Sequence, residues 1–444
     1  MPPRHARPGL RRALAVCLVC AASAAQAAPT TTRNLFAELL GKTEAETTAR
    51  IESTWRQFTH GDPETERLYY EVGDDSAYIA DIGSQDVRSE GMSYGMMIAV
   101  QLDQREQFDR LWRWAVKHMR HPADSPRRGY FAWHCRFDGT QIDPGSASDG
   151  EAWFAMALFF AAHRWATLEG PAPAGPRRSG TSALHDSARP EASPYPHSLS
   201  PSPSLPSIDY RAEAQALLRA MRDNDRGGAV TSIFDLERKQ IVFAPTRAAS
   251  RLTDPSYHLP HFLELWARWD DDAEGRAFWK ACVDESRAFL RRAAHPDTGL
   301  MSEYAHFDGR PFTETTFGPG KGDFRYDAWR ILANVAVDHA WFAADPWQVE
   351  QSNRVLRFLA RQGPEPIDQY TLDGRPLSSE TSIGLSATAA VAGLAAEAEL
   401  ARPFVQRLWD APTPTGRWRY YNGLLVMLGL LQAGGHFDVY EPAP

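Results

Sequence analysis

The residues best placed to do chemistry lie in Arg88-Ser89-Glu90-Gly91-Met92-Ser93-Tyr94-Gly95-Met96-Met97. Glu90 stands just ahead of the apolar run Met96 to Val100, which puts it near the start of a helix. Gly91 and Gly95 remove side chains there, so another group can approach the backbone closely. Among methionines and Tyr94 the carboxyl is stripped of water, which raises its pKa and lets it keep a proton near neutral pH. A general acid needs such surroundings. An acid favoured only by the helix dipole would leave the same local pattern.

Two further acids stand at helix beginnings. Asp149, in Ser146-Ala147-Ser148-Asp149-Gly150-Glu151-Ala152-Trp153, reads as a helix cap with Glu151 in the first turn. Asp327 lies in Phe324-Arg325-Tyr326-Asp327-Ala328-Trp329-Arg330, where Arg325 or Arg330 can hold its carboxylate ionised and oriented, as a general base requires. Capping for Asp149 and a structural ion pair for Asp327 are the plain alternatives. The three acids become chemically coherent if their helices converge at one end. Glycoside hydrolysis needs one protonated carboxyl, one bare carboxylate and aromatic rings as sugar platforms. The loops supply such rings beside acids and glycines, as in Tyr69 to Asp75, Tyr130 to Trp133 and Asp254 to His258.

Other chemistries have less support. His258-Leu259-Pro260-His261 has metal-like spacing, but Pro260 breaks the helical register and no third ligand stands nearby, so no metal is expected. No Gly-x-Ser-x-Gly elbow occurs, and Cys135 has no evident histidine partner. No organic cofactor is implied.

The elements that must carry these residues read as helices. Helical periodicity runs through Glu44 to Phe58, Gly91 to Val100, Arg105 to Met119, Glu151 to Trp165, Tyr210 to Met221 and Pro260 to Trp269. It continues through Gly275 to Ala294, Tyr326 to Phe342, Trp347 to Arg361, Ser386 to Ala396 and Trp418 to Gln432. Several, such as Trp153 to Phe160, are apolar over much of their circumference and belong inside the molecule. Strand-like alternation is scarce, and no repeat of fixed length is visible. Residues 170–206, rich in Pro, Ser, Gly and Ala, read as a disordered insertion within one domain, whose deletion should leave activity intact.

Residues 1–27 have a basic start, a short apolar core and Ala25-Gln26-Ala27 at the end, the pattern of a signal peptide. The core is too short to span a bilayer, so export to the periplasm or beyond is expected, with no membrane anchor after cleavage. Cleavage removes four arginines and no acid, taking the net charge from −8 to −12. Such a surface disfavours nucleic acid and anionic membranes and suits a neutral substrate. Cys135 and Cys282 remain in the mature chain, read as two buried thiols in a domain large enough to need no staple.

Read in order, these motifs resemble glycoside hydrolase family 8, and within it the reducing-end xylose-releasing exo-oligoxylanases. The likeness rests on Tyr69 to Asp75, Asp86 to Met97, Tyr130 to Trp133, Asp149-Gly150-Glu151, Asp254 to Pro260 and Arg417-Trp418-Arg419-Tyr420-Tyr421. It extends from about Asn34 to the end, apart from the insertion. The resemblance implies an all-α fold, an (α/α)6 barrel of six inner and six outer helices with a cleft at one end. It implies inversion at the anomeric carbon, with Glu90 as proton donor and Asp327 as the base that activates water. Asp149 would grip the sugar at the cleavage point, Tyr257 would help hold the attacking water, and Trp133 and Tyr420 or Tyr421 would face the cleft. Tyr94 and Arg330 complete the expected substrate-binding set. The implied partner is a xylo-oligosaccharide, acted on by a monomer.

One stretch departs from the family pattern. In the reducing-end-specific branch a Leu-His-Pro loop closes the cleft beyond the first leaving-group sugar. The corresponding residues here, Ser378 to Leu385, contain no histidine. An endo-acting xylanase is therefore the nearest alternative, with a glucan-acting relative behind it. A non-catalytic periplasmic sugar-binding protein would use the same aromatics without needing the acids.

Overall fold

The computed structural model describes residues 32–165, 207–223, 227–363 and 365–442. The expected signal peptide and the insertion at 170–206 lie outside the described residues. A short α1 (Leu35–Leu40) leads into six helix pairs. They are α2 (Glu44–His60) with α3 (Ser89–Gln101), α4 (Arg105–His118) with α5 (Ser148–Trp165), and α6 (Tyr210–Arg222) with α7 (Pro260–Trp269). Next come α8 (Ala273–Ala293) with α9 (Arg330–Phe342), α10 (Trp347–Arg361) with α11 (Ile383–Ala392), and α12 (Ala398–Asp410) with α13 (Arg419–Ala433).

Sequence decides which member of each pair goes inside. The even-numbered helices are amphipathic: α4 buries Phe108, Leu111, Trp112 and Trp114 and turns its arginines and Glu106 outward. Among the odd-numbered helices α3, α5 and α11 are apolar or small nearly all round, and almost every residue of them is buried. Such a helix must sit within a ring of others. The ring closes through α3 on α5, α7 on α9, α9 on α11, α11 on α13 and α13 on α3. Between α5 and α7 it closes through Trp153 against Phe262, edge to face at 4.9 Å. This is the (α/α)6 barrel.

Polar ties join the layers. Arg287 of α8 donates to both oxygens of Asp338 on α9 at 2.9 and 2.8 Å, and to Glu264 of α7 at 3.3 Å. The end of the chain crosses the C-terminal ends of the inner helices. Phe437 stacks on Trp341, Tyr440 packs edge-on against Phe160, and Asp438 exchanges backbone hydrogen bonds with the Gln101 amide. Thr32 bonds to Phe437, so the first and last described segments meet on this floor.

The helices expected from periodicity are present with small shifts at their ends. Tyr326 to Phe342 is not continuous: a 3-10 turn over Tyr326–Trp329 precedes α9, and Tyr326 has a left-handed φ of 39°. Two helices are additions to the sequence reading. The helix α1 has only six residues, and α12 contains Pro403, which reads as a stop. Among the described residues seven strands of two to four residues lie in the loops, too short to show alternation.

Candidate active site

The N-terminal ends of the inner helices gather at the opposite end from the floor. A cleft of about 780 Å³ there is lined by Glu90 from the start of α3, Asp149 from α5, Tyr257 just before α7, Asp327 just before α9, and Tyr420 and Tyr421 from α13. The loops add Trp133, Arg88, Glu303, Lys321, Tyr326 and Trp418. The convergence that would make the three acids coherent is therefore present.

Arg330, the first residue of α9, is buried beneath this cleft and ties the acids together. Its Nη1 donates to Glu90 Oε2 at 2.7 Å, to the Tyr94 hydroxyl at 2.9 Å and to Asp149 Oδ2 at 3.2 Å. Its Nη2 lies 3.2 Å from Asp327 Oδ1. The two contacts and the width of the guanidinium keep the nearer Glu90 and Asp327 oxygens no more than about 8 Å apart, an upper bound compatible with the roughly 6.5–9.5 Å of an inverting pair.

Each acid has a different setting. Glu90 also accepts from the Tyr420 hydroxyl at 3.1 Å. Burial pushes its pKa up to about 7; Asp149 and Asp327 push the same way, and Arg330 opposes them. Asp149 lies inside the first turn of α5 and does not precede it as a cap. Its Oδ1 accepts from the adjacent Gly150 N–H at 2.9 Å, and its pKa is raised by burial. Gly150 lets α5 start directly against α3, because a β-carbon there would sit 2.6 Å from the Ser89 hydroxyl. Asp327 is the more open acid, with the Tyr421 hydroxyl 3.5 Å from its Oδ1.

The aromatic wall is braced from behind. Strand pairing sets Arg88 opposite His134, and the Ser89 N–H donates to the Trp133 carbonyl at 3.0 Å. The Trp133 ring stacks on His134 at 4.5 Å, and the Arg88 guanidinium lies 5.9 Å from its centre. Asp86, itself buried, holds both His134 and Arg88. The Arg330 guanidinium also faces the Tyr257 ring at 5.5 Å.

The profile of glycosyl hydrolases family 8 matches residues 75–170 and 243–435. The reducing-end xylose-releasing exo-oligoxylanase Rex8A of Paenibacillus barcinonensis is 42% identical, over 92% of this chain and 96% of the relative. The chain belongs to glycoside hydrolase family 8. A second relative, the reducing-end xylose-releasing exo-oligoxylanase of Halalkalibacterium halodurans, is 39% identical over 92% of this chain and 95% of its own length. The xylose complex of Rex8A superposes with a TM-score of 0.79 at 41% identity, covering 93% of this chain and 98% of that one. A catalytic-mutant xylohexaose complex of a family 8 xylanase from Teredinibacter turnerae reaches 0.81 at 36% identity, covering 93% and 98%.

Against this family frame, two residues expected to touch substrate sit behind the wall. Tyr94 is 1% exposed and Arg330 5%, and neither lines the cleft. Their hydrogen bonds go to each other and to the acids, so they position the acids. Residues absent from the expected site also line it, among them Arg88, Glu303, Lys321, Tyr326 and Trp418, while Asp254 lies fully buried behind it, 3.9 Å from Arg330 Nη2. Asp254 was visible beside Tyr257 in sequence, but its neighbour Pro255 reads as a turn, which gives no sign of burial. Glu303 is paired with Lys321 at 2.6 Å across a loop, a contact that spacing alone does not reveal.

The remaining histidines and cysteines of the sequence reading lie in the core. His258 bonds to Thr253 and Ser286 at 3.1 Å each and stacks on Phe289, while His261 packs on Phe262 and Trp341. Burial pushes both down to about 3, so they are neutral core histidines. Among the described residues no group of three or more His, Cys, Asp or Glu could hold a metal, and no helix is long and apolar enough to cross a membrane. Cys135 and Cys282 are free and buried.

Proposed function

We propose that the chain hydrolyses β-1,4-xylo-oligosaccharides with inversion and releases xylose from the reducing end. The observation that carries the reading is Arg330 holding Glu90 and Asp327 together beneath one ring-lined cleft. The names of the Paenibacillus and Halalkalibacterium relatives supply the substrate class. Glu90 gives its proton to the leaving oxygen, and Asp327 takes a proton from the water that attacks the anomeric carbon. Asp149 hydrogen-bonds the sugar at the cleavage point, where positive charge develops. Tyr257 helps hold the water, Trp133 and Tyr421 face the sugars, and Tyr94 and Arg330 orient the acids. The enzyme is exported through the segment 1–27 and works as a monomer.

Digestion of xylotriose through xylohexaose tests this reading. Xylose released from every unreduced substrate, and none from substrates reduced to the alditol, is the expected result. Products cut from mid-chain would favour the endo-acting reading instead. A specific observation supports that alternative: Trp418 is 66% exposed and Tyr326 40% exposed at the cleft margin, so rings extend beyond the acids. The Teredinibacter relative with xylohexaose is itself a xylanase.

A further inference from the structure

Asp254 is an acid of this cluster to which the proposed hydrolysis assigns neither a proton transfer nor a sugar contact. It precedes the 3-10 turn Pro255–Tyr257 and has no exposed surface. Its Oδ1 accepts the Ser256 N–H at 2.7 Å, and its Oδ2 has no hydrogen-bond partner. Three other carboxyls meet Arg330 at 2.7, 3.2 and 3.2 Å. Asp254 alone stands off, its Oδ2 3.9 Å from an Nη2 that itself makes no hydrogen bond.

That gap is informative. A bare carboxylate sealed in the interior beside a guanidinium closes to contact, because an unpaired buried charge is strongly unfavourable. A carboxylic acid has no such pull: its carbonyl oxygen takes the backbone N–H and the other oxygen carries the hydrogen. The charged and titratable groups around Asp254 agree. Asp327 and Arg330 face it from the start of α9, Tyr257 from its own turn and Tyr304 from the adjoining segment, where Ala305 pairs with Thr253. Arg330 is already shared among three acids, and Asp327 opposes a further negative charge. Burial, reinforced by Asp327, holds the Asp254 carboxyl well above the usual carboxylate range.

We infer that Asp254 is a positioning residue for the hydrolysis, a carboxyl that keeps its proton through turnover, occupies the Nη2 side of Arg330 beside Asp327, and leaves Asp327 as the sole proton acceptor. The inference rests on the assignment of Asp327 as base. The proton balance is simple: Glu90's proton goes to the leaving oxygen, the water's goes to Asp327, and none passes through Asp254.

The test uses the full chain with Asp254→Asn and Asp254→Ala. Asparagine is neutral, has the same shape and keeps an oxygen for the Ser256 N–H, so D254N should hold kcat within about threefold and leave the alkaline limb of the pH profile where it is. D254A should lose kcat on the order of tenfold or more at similar KM, because the acceptor for the Ser256 N–H and the filled space beside Arg330 are gone. Infrared difference spectra of wild type minus D254N, taken about two pH units above the Glu90 transition, should contain a protonated-carboxyl carbonyl band. A limb displaced to lower pH in D254N, a D254N as impaired as D254A, or no carboxylic band in the difference spectrum would each overturn the inference. The spectrum needs no turnover. A wild type that leaves xylo-oligosaccharides intact, or an Asp327→Asn variant of full activity, would defeat the functional reading while the proton on Asp254 is still read directly.

Discussion

At the residue scale, Glu90 sets how the site answers to pH. With its carboxyl pushed up to about 7 by burial, it is a competent acid below that pH and loses its proton above it. The rate constant kcat/KM should therefore fall as pH rises through about 7, and Glu90→Gln should lower kcat by roughly 10²–10⁴-fold while oligosaccharide binding persists. Stability carries the same sign. The folded-state value lies above the unfolded one of about 4.3, so Glu90 favours folding at low pH, and that contribution is lost as pH rises through about 7. E90Q should consequently raise Tm relative to wild type more at pH 8 than at pH 5. Calorimetry at the two pH values checks this, and equal shifts would contradict it. The desolvation of Glu90 was legible from the methionines, glycines and tyrosine around it. The contacts of Arg330 were only half legible: its role toward Asp327 could be read from adjacency, but its bonds to Glu90 and Asp149 span 240 and 181 residues.

At the scale of elements, close approach of helix starts gives the site its dimensions. A β-carbon on Gly91 would lie 2.6 Å from the Tyr420 ring and hydroxyl, so Gly91→Ala must displace the tyrosine that donates to Glu90. A fall in kcat on the order of tenfold with little change in Tm is expected, measured by steady-state kinetics beside thermal melts. Arg419 does comparable work for α13. It is fully buried and donates to the carbonyls of Pro63, Glu64, Arg67 and Gly416, which fixes the loop ahead of β1 (Tyr69–Val72) to the turn carrying Tyr420 and Tyr421. Arg419→Met removes those donors and should cost about 3 kcal/mol in urea unfolding. Lysine should rescue only part of the loss, because its ammonium cannot reproduce the planar fork. The sequence flagged Arg417 to Tyr421 as a motif without indicating which arginine turned inward. Burial of that kind is decided by partners some 350 residues away.

At the scale of the whole molecule, the alternation of amphipathic and all-apolar helices was the readable signal, because burial on every side forces a ring within a ring. The closure was not readable. It depends on glycine and alanine contacts between inner helices and on rings such as Trp153 and Phe262, which no repeat length announces. The chain's last turn across the floor was equally hidden, since Phe437 and Tyr440 look like any terminal aromatics. Their packing on Trp341 and Phe160 closes the barrel opposite the cleft. Among the described residues these rings fill that end, so water, oligosaccharide and both halves of a cut chain share the mouth at the cleft end. Departing xylose must pass the groups that welcome the next chain, so it should act as a competitive inhibitor in initial-rate assays. Removal of residues 436–442 should unseat the barrel and lower Tm without changing that competition, since the doorway lies at the far end.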